Sequence, residues 1–290
     1  MTEELLAGRR AIVIGGSRGI GRAVANLLAG LGAAVVVNGR TGDAVESVVG
    51  EITGAGNRAT GFIGSPSDED TATALIDHCV AAFGGLDIVV NCAGIPEPPG
   101  SSILTIGVQE FQDQLDSHLM TVFHSCRAAA PIMVDQGSGA IVNTSSFAFL
   151  GDYGGTGYPA GKGAVNGLTL AIAAELREHG VRANVVCPGA RTRISSGPDY
   201  EEQIRGLARR GLLDEATAQA SLDAAPPEYV APLYAYLVSD LAQGITGQIL
   251  VGAGGFVGRF DRPSPALLGY RGHTDEPPWT LPELDAMIRR

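Results

Sequence analysis

The chain has 290 residues, 45% of them hydrophobic, with 41 glycines and a formal net charge of −11. That length and apolar content supply one large core, and the acidic balance argues against nucleic acid or an anionic membrane as a partner. The four cysteines (Cys79, Cys92, Cys126, Cys187) lack metal-ligand spacing, which points to reduced thiols and no metal. The opening residues, MTEELLAG, lack a signal-like apolar stretch, and no run nears the roughly 18 apolar residues that span a bilayer. The expectation is a cytoplasmic protein.

Residues 11–14 (AIVI) form a short apolar strand that runs into GGSRGIG at 15–21. A helix carrying Ile20, Val24, Leu27, Leu28 and Leu31 follows, and AAVVVN at 33–38 is the next strand. Buried parallel strands read as continuous apolar runs, so this is a βαβ unit. Glycines 15, 19 and 21 let the backbone approach a pyrophosphate at the helix N-terminus, where free N–H groups attract anions. An acidic residue ending the second strand would bind the ribose hydroxyls of NAD(H). The sequence instead has Asn38, Gly39 and Arg40 there, with Arg18 in the glycine turn. Two guanidiniums and no carboxylate suit a 2′-phosphate, which favours NADP(H) over NAD(H).

The alternation continues with a helix at 43–55 and a strand at 59–63. The helix at 68–83 has an acidic first turn, Asp68, Glu69 and Asp70, that complements its dipole. The stretch 86–94 predicts a strand ending in Asn91-Cys92-Ala93-Gly94, small residues against which an adenosine or ribose can pack. A helix over about 108–133 carries Phe111, Leu115, Leu119, Val122 and Phe123 at helical spacing. The strand Ile141–Thr144 then leads to Ser145, Ser146, a glycine-rich loop and a helix from near Thr156 to about His179. Tyr158 and Lys162 are four residues apart on that helix and so share a face. A neighbouring ammonium favours the phenolate, and a tyrosine lowered from its usual pKa of about 10 becomes a usable base near neutral pH. A serine at the end of the preceding strand is suited to bind the oxygen that gains or loses the proton. A further strand at 181–187 ends at Pro188-Gly189.

Residues 190–225 predict one or two helices forming a lid over a substrate cleft. A helix at 228–239 and a last strand within ITGQILVGAGG follow, and the tail at 259–290 ends in the periodic stretch LPELDAMI. Repeated βα units predict an α/β fold with a doubly wound parallel sheet and ligands beyond the strand carboxyl ends.

GGSRGIG at 15–21, NCAG at 91–94, Ser145, Tyr158-x-x-x-Lys162 and Pro188-Gly189 together resemble the short-chain dehydrogenase/reductase family, from about residue 8 to 258. The resemblance implies a single Rossmann domain at 8–258 with a seven-stranded sheet in the order 3-2-1-4-5-6-7. It implies hydride transfer between a nicotinamide and a carbonyl or alcohol carbon. Tyr158 would be the acid/base, and Lys162 would lower its pKa and hold the nicotinamide ribose. Two serines compete to bind the substrate oxygen, and only one can aim at it, because neighbours along a strand face opposite ways. The family's serine precedes the tyrosine by about thirteen positions, which selects Ser145 over Ser146. The implied cofactor site comprises Gly15, Ser17, Arg18, Gly19, Ile20, Gly21, Asn38, Arg40, Ser65, Asn91, Ala93, Gly94, Tyr158, Lys162, Pro188, Gly189 and Thr192. A homodimer or homotetramer through the helices at 108–133 and 156–179 is implied as well.

Three departures from the family pattern stand out. Ile14 replaces a threonine whose side chain ties the glycine turn, and Ser65-Pro66 stands where an aspartate and an apolar residue usually flank adenine. His118 occupies the position of an active-site asparagine that holds a relay water near the lysine, and a histidine there is expected to titrate near neutral pH. SHL at 117–119, GDYGGTGY at 151–158, ARTR at 190–193, PEYVAPL at 227–233 and VGAGGFVGR at 251–259 resemble one branch in particular. That branch is the 3-hydroxyacyl-CoA dehydrogenase domain of multifunctional enzyme type 2 and its bacterial relatives, which implies an acyl-thioester or steroid-like substrate. It typically carries an acidic residue and prefers NAD, at variance with Gly39 and Arg40 here. A 3-oxoacyl-carrier-protein reductase is the alternative activity; the acidic chain disfavours it, because the carrier protein is itself acidic. A non-catalytic dinucleotide sensor is the alternative of another class, disfavoured because Ser145, Tyr158 and Lys162 are all present.

Overall fold

A computed structural model of the chain describes residues 4–289. Eight strands form one sheet in the order β3-β2-β1-β4-β5-β6-β7-β8. The first seven are β1 (Arg10–Ile14), β2 (Ala34–Gly39), β3 (Ala59–Ile63), β4 (Ile88–Asn91), β5 (Gly139–Thr144), β6 (Val181–Gly189) and β7 (Ile249–Ala253), all parallel. The eighth, β8 (Phe256–Phe260), folds back antiparallel on β7 after the tight turn at Gly254-Gly255. The parallel order is the expected one, and β8 is an addition at the edge.

Alternation along the strands builds a core on each face of the sheet. Ala11 and Val13 pack with residues of α1 (Gly19–Gly30), α2 (Gly42–Gly54) and the helix Ala231–Val238. Ile12 and Ile14 point the other way, toward α3 (Glu69–Phe83). The period of two in a strand dictates this division. α3 starts as its acidic first turn suggested: the Asp68 side chain accepts the Thr71 amide at 2.8 Å, and Gly84 closes the helix with φ 84°.

The stretch at 108–136 is not one regular helix. α4 (Val108–Leu115) and α5 (Thr121–Gln136) are joined through a π-helical turn, Asp116–Met120, with His118 at its centre. Such turns re-aim a side chain by inserting a residue into the helical register. α6 (Gly157–Leu176) carries Tyr158 and Lys162. The lid consists of α7 (Pro198–Arg209) and α8 (Glu215–Leu222), followed by α9 (Ala231–Val238).

The compact unit containing the sheet ends at Phe260, and Asp261 onward forms a second, smaller unit. Within the latter, Arg271 pairs with Glu283 at 2.7 Å and stacks over Trp279 at 3.8 Å, and Thr280 caps α10 (Leu281–Ile288). All four cysteines are free thiols. Among the described residues, no helix is long and apolar enough to cross a membrane, and no cluster of three His, Cys, Asp or Glu could hold a metal ion.

Candidate active site

A cleft of about 890 Å³ opens at the carboxyl ends of the strands, where the sheet order reverses between β1 and β4. This is the usual ligand crevice of such sheets. One wall is the glycine turn. Gly15 has φ 73°, and a Cβ there would stand 2.7 Å from the Ala93 nitrogen, so the turn closes against β4 only as glycine. Ser17, Arg18, Gly19, Ile20 and Gly21 continue the wall, with Ala93 and Gly94 opposite. Pro188, Gly189 and Thr192 close the cleft from β6, and the Thr192 methyl lies 3.4 Å from where a Cβ of Gly19 would be.

At the end of β2, a Cβ on Gly39 would meet the Ser17 hydroxyl at 2.6 Å and Val45 at 2.9 Å. The Asn38 amide donates to the carbonyls of Phe62 and Gly64, each at 3.1 Å, and so ties β2 to β3. Arg18 and Arg40 are exposed on the cleft wall, and neither has an ion-pair or hydrogen-bond partner for its guanidinium among the described residues. Arg22, by contrast, is paired with Glu51 at 2.9 Å. Ser65 also lines the cleft, its hydroxyl 3.0 Å from that of Ser67. Asn91 does not line it. Its side chain is buried beneath the sheet, donating to Asn143 at 2.8 Å and accepting from Ser125 at 3.0 Å.

The first turn of α6 presents Tyr158, half-buried, at the centre of the cleft. Ser145, expected beside it, lines the cleft but commits its hydroxyl elsewhere. β5 ends at Thr144, and Ser145 is buried and donates its hydroxyl to the Lys162 carbonyl at 3.0 Å. Ser146 lines the cleft too, and its hydroxyl is the one that acts on the Tyr158 phenol, favouring the ionised form. Lys162, nearly fully buried, directs its ammonium to the Thr144 carbonyl at 2.9 Å and lies 5.6 Å from the Tyr158 ring centroid. Burial lowers the lysine to about 8, so it is still mostly charged at neutral pH. Burial raises the phenol above its ordinary value, with Ser146 opposing. The expected net lowering of the tyrosine is therefore not what this pocket produces, because desolvation is the largest influence on it.

His118 meets Tyr158 edge to face, with ring centroids 4.9 Å apart. Its Nε2 lies 3.1 Å from both the Ile95 carbonyl and the Gln114 side-chain oxygen. Two acceptors at Nε2 fix the tautomer with the proton there. Nδ1 is then a buried acceptor without a partner, close to Gly94 and on the side of Lys162. Burial, reinforced by the Lys162 charge, pushes His118 down to about 2. The expectation that it titrates near neutral pH is thus corrected; it is a neutral ring throughout the working range.

Beyond Tyr158 the cleft runs under the lid. Ile204, Leu207, Leu213 and Ala218 form a small core of their own, with Tyr153 and Tyr200 packed against it. The Tyr153 hydroxyl is 3.2 Å from that of Ser221, and burial pushes Tyr200 up to about 12.

The family profile described as short chain dehydrogenase matches residues 9–196. The chain belongs to the short-chain dehydrogenase family. It is 37% identical over 255 residues to a 3alpha-hydroxysteroid dehydrogenase of Mediterraneibacter gnavus, covering 85% of this chain and 96% of that protein. It is 33% identical to the hydroxyacyl-CoA dehydrogenase ChsB1 of Mycobacterium tuberculosis, covering 98% of this chain and 88% of the relative. The crystal structure of a short chain dehydrogenase from Mycobacterium avium superposes with a TM-score of 0.80 at 32% identity, covering 98% and 94% of the two chains.

Members of this dehydrogenase family act on CH–OH groups with NAD(H) or NADP(H), and the chain is an oxidoreductase of hydroxyl and keto groups. The cradle fits a dinucleotide: the glycine turn leaves backbone-sized space at the start of α1, where amide N–H groups suit a pyrophosphate. Ser146 competes with Ser145 in the sequence, whereas Glu97 and Gln114, which line or border the site, are absent from the sequence-based set. Glu97 and Gln114 carry no local sequence signal, since their partners lie at least 18 residues away apart from His118 and Ser101. Ser146 lies one residue closer to Tyr158 than the thirteen-position spacing selects, so the spacing alone passes it over.

Proposed function

We propose that the chain is an NADP(H)-linked oxidoreductase that interconverts a secondary alcohol and a ketone on a bulky, largely apolar substrate, a 3-hydroxyacyl thioester or a steroid-like alcohol. The observation that carries this reading is the Tyr158–Ser146 pair, set where the glycine-turn cleft meets the apolar lid. The bound nucleotide would supply or accept the hydride. Tyr158, protonated at neutral pH because burial raises it, donates the proton to a carbonyl oxygen in the reducing direction. Ser146 would hold that oxygen in place, and Lys162, fixed on the Thr144 carbonyl, would hold the nicotinamide ribose. His118, neutral and with Nδ1 open, accepts from a water that can pass protons toward Lys162.

Arg18 and Arg40, both without partners on the adenosine side, support NADP(H), and Gly39 leaves no carboxylate to oppose a 2′-phosphate. Phe147, Leu150, Ile194, Leu212 and Phe256 on the lid side support a large apolar substrate. The names of the two relatives above point to the same chemical classes.

The test is a titration with NADPH and NADH, followed by turnover of 3-oxosteroids, hydroxysteroids and 3-oxoacyl-CoA thioesters. Tighter NADPH binding and turnover that vanishes in Tyr158→Phe are expected. Binding of neither nucleotide, or unchanged turnover in Tyr158→Phe, would overturn the reading.

A further inference from the structure

We infer that Glu97 is a positioning residue for Tyr158: it reaches from the loop after β4 to cap the catalytic helix and holds the tyrosine's own backbone amide. The inference rests on the reading of Tyr158 as the acid/base. A helix leaves its first N–H groups without intrahelical acceptors, and a buried helix start needs them satisfied. α6 has no local solution, because Thr156 at its N-cap makes no side-chain cap bond. Glu97 supplies the cap instead. Its Oε1 accepts the amides of Thr156 at 2.9 Å and Gly157 at 3.2 Å, and its Oε2 accepts that of Tyr158 at 2.5 Å.

The surroundings are shaped for the carboxylate. Ser101 donates its hydroxyl to Oε1 at 2.6 Å. Gly155 stands at φ 78°, and a Cβ there would come within 2.8 Å of the carboxyl carbon. Burial alone would raise the acid, but the bonds from Ser101 and the three amides hold it below the usual carboxylate range, so it is ionised at neutral pH. An anion at a helix N-terminus is also favoured by the dipole.

The two residues before Glu97 are anchored as well. The Ile95 carbonyl accepts from His118 at 3.1 Å and the Pro96 carbonyl accepts from Gln114 at 2.7 Å. Three consecutive residues thus fix the π-helical turn, α4 and the start of α6 around one phenol. Both Glu97 and Tyr158 line the cleft, so a shift in the first turn of α6 displaces the hydroxyl within it. Misplacement of a reacting group by about 1 Å costs on the order of a hundredfold in rate.

The experiment compares the full chain with Glu97→Ala and Glu97→Gln, the latter keeping one acceptor oxygen. Amide hydrogen exchange, NADPH affinity and steady-state reduction are measured on all three. Expected in Glu97→Ala are faster exchange confined to 156–158, NADPH affinity within about twofold, and kcat at least about tenfold lower with little change in KM. Glu97→Gln should lie between it and the parent. Unchanged exchange at 156–158 overturns the cap, and unchanged kcat overturns the positioning role. Affinity, kcat and Tm falling together in both variants would mean a merely structural residue and overturn it too. A parent chain that binds nucleotide and turns over no alcohol or ketone removes the acid/base reading itself, while the exchange data still report on the cap.

Discussion

Ser145 turns its hydroxyl inward to the Lys162 carbonyl at 3.0 Å, while its neighbour Ser146 keeps its own on the Tyr158 side of the cleft. Adjacent serines therefore divide two tasks. One faces the reacting centre, and the other fastens the strand end to the helix that carries the lysine. Ser146 also accepts the Ala148 amide at 3.2 Å, which sets the short 3-10 turn at Phe147–Leu150 and limits the rotation of its side chain.

Replacing each serine should separate the tasks. Ser146→Ala is expected to lower kcat by about 10²–10³-fold, the usual cost of deleting one donor aimed at a reacting oxygen. Ser145→Ala should keep kcat within a few-fold and lose about 1 kcal/mol of stability, the net worth of one buried hydrogen bond. Steady-state kinetics and urea unfolding of the two variants decide it; equal kinetic losses would refute the division.

His118 should leave no mark on the pH profile. With its ring driven to about 2 by burial and by Lys162, it gains no proton between pH 5 and 8. His118→Asn, which keeps a neutral acceptor, is expected to give a profile parallel to the parent over that range. An inflection near pH 6.5 that disappears in His118→Asn would contradict this.

The direction of catalysis should follow the phenol. Because burial raises Tyr158, reduction of a ketone, which needs the proton on the phenol, should hold steady from pH 6 to 8. Oxidation of the alcohol needs the phenolate and should climb with pH over the same span. Initial rates in both directions across one pH series test this, and an oxidation rate that is flat from pH 6 to 9 would rule it out.

Lys162 trades stability for its place in the site. Its drop from 10.5 to about 8 corresponds to a cost of about 3 kcal/mol while it is charged. Between pH 8 and 10.5 the unfolded chain binds more protons at this lysine than the folded one, so its burden fades as pH rises through that window. Lys162→Met, with its bond to Thr144 lost, should be more stable at pH 7 by about 2 kcal/mol, and the gain should shrink by pH 9.5. Denaturant unfolding at both values is the check, with loss of stability at pH 7 as the refuting outcome.

Arg18 and Arg40 should act on one nucleotide only. Each charge-assisted contact to a phosphate is worth about 1.5–3 kcal/mol, so Arg40→Ala should weaken NADPH about ten- to a hundredfold and leave NADH nearly unchanged. Fluorescence titration with both nucleotides measures it. Equal weakening of the two would mean the guanidinium does not meet a 2′-phosphate.

Much of this was legible in the sequence because it is written in short-range patterns. The apolar runs mark the parallel strands, the family resemblance supplies their order, and the four-residue spacing puts Tyr158 and Lys162 on one face of α6. What was not legible depends on contacts between distant segments. Glu97 caps a helix whose N-cap, Thr156, lies 59 residues later, and the neutral state of His118 follows from burial and a nearby cation that no local pattern reports. The choice between Ser145 and Ser146 rests on a spacing to Tyr158, and the Ser145 bond to the Lys162 carbonyl that turns its hydroxyl inward joins residues 17 apart. The π-helical turn at Asp116–Met120 was hidden inside an otherwise regular helical spacing, and β8 within a stretch read partly as tail.

The crowding at Gly39 also limits what can replace it. A side chain at this position would enter the space of the Ser17 hydroxyl and the Val45 methyl, both within 3 Å of its first carbon. An acidic residue there would require the Ser17 hydroxyl and the Val45 methyl to shift. Smaller residues at 17 and 45 should therefore widen the range of side chains that position 39 accepts.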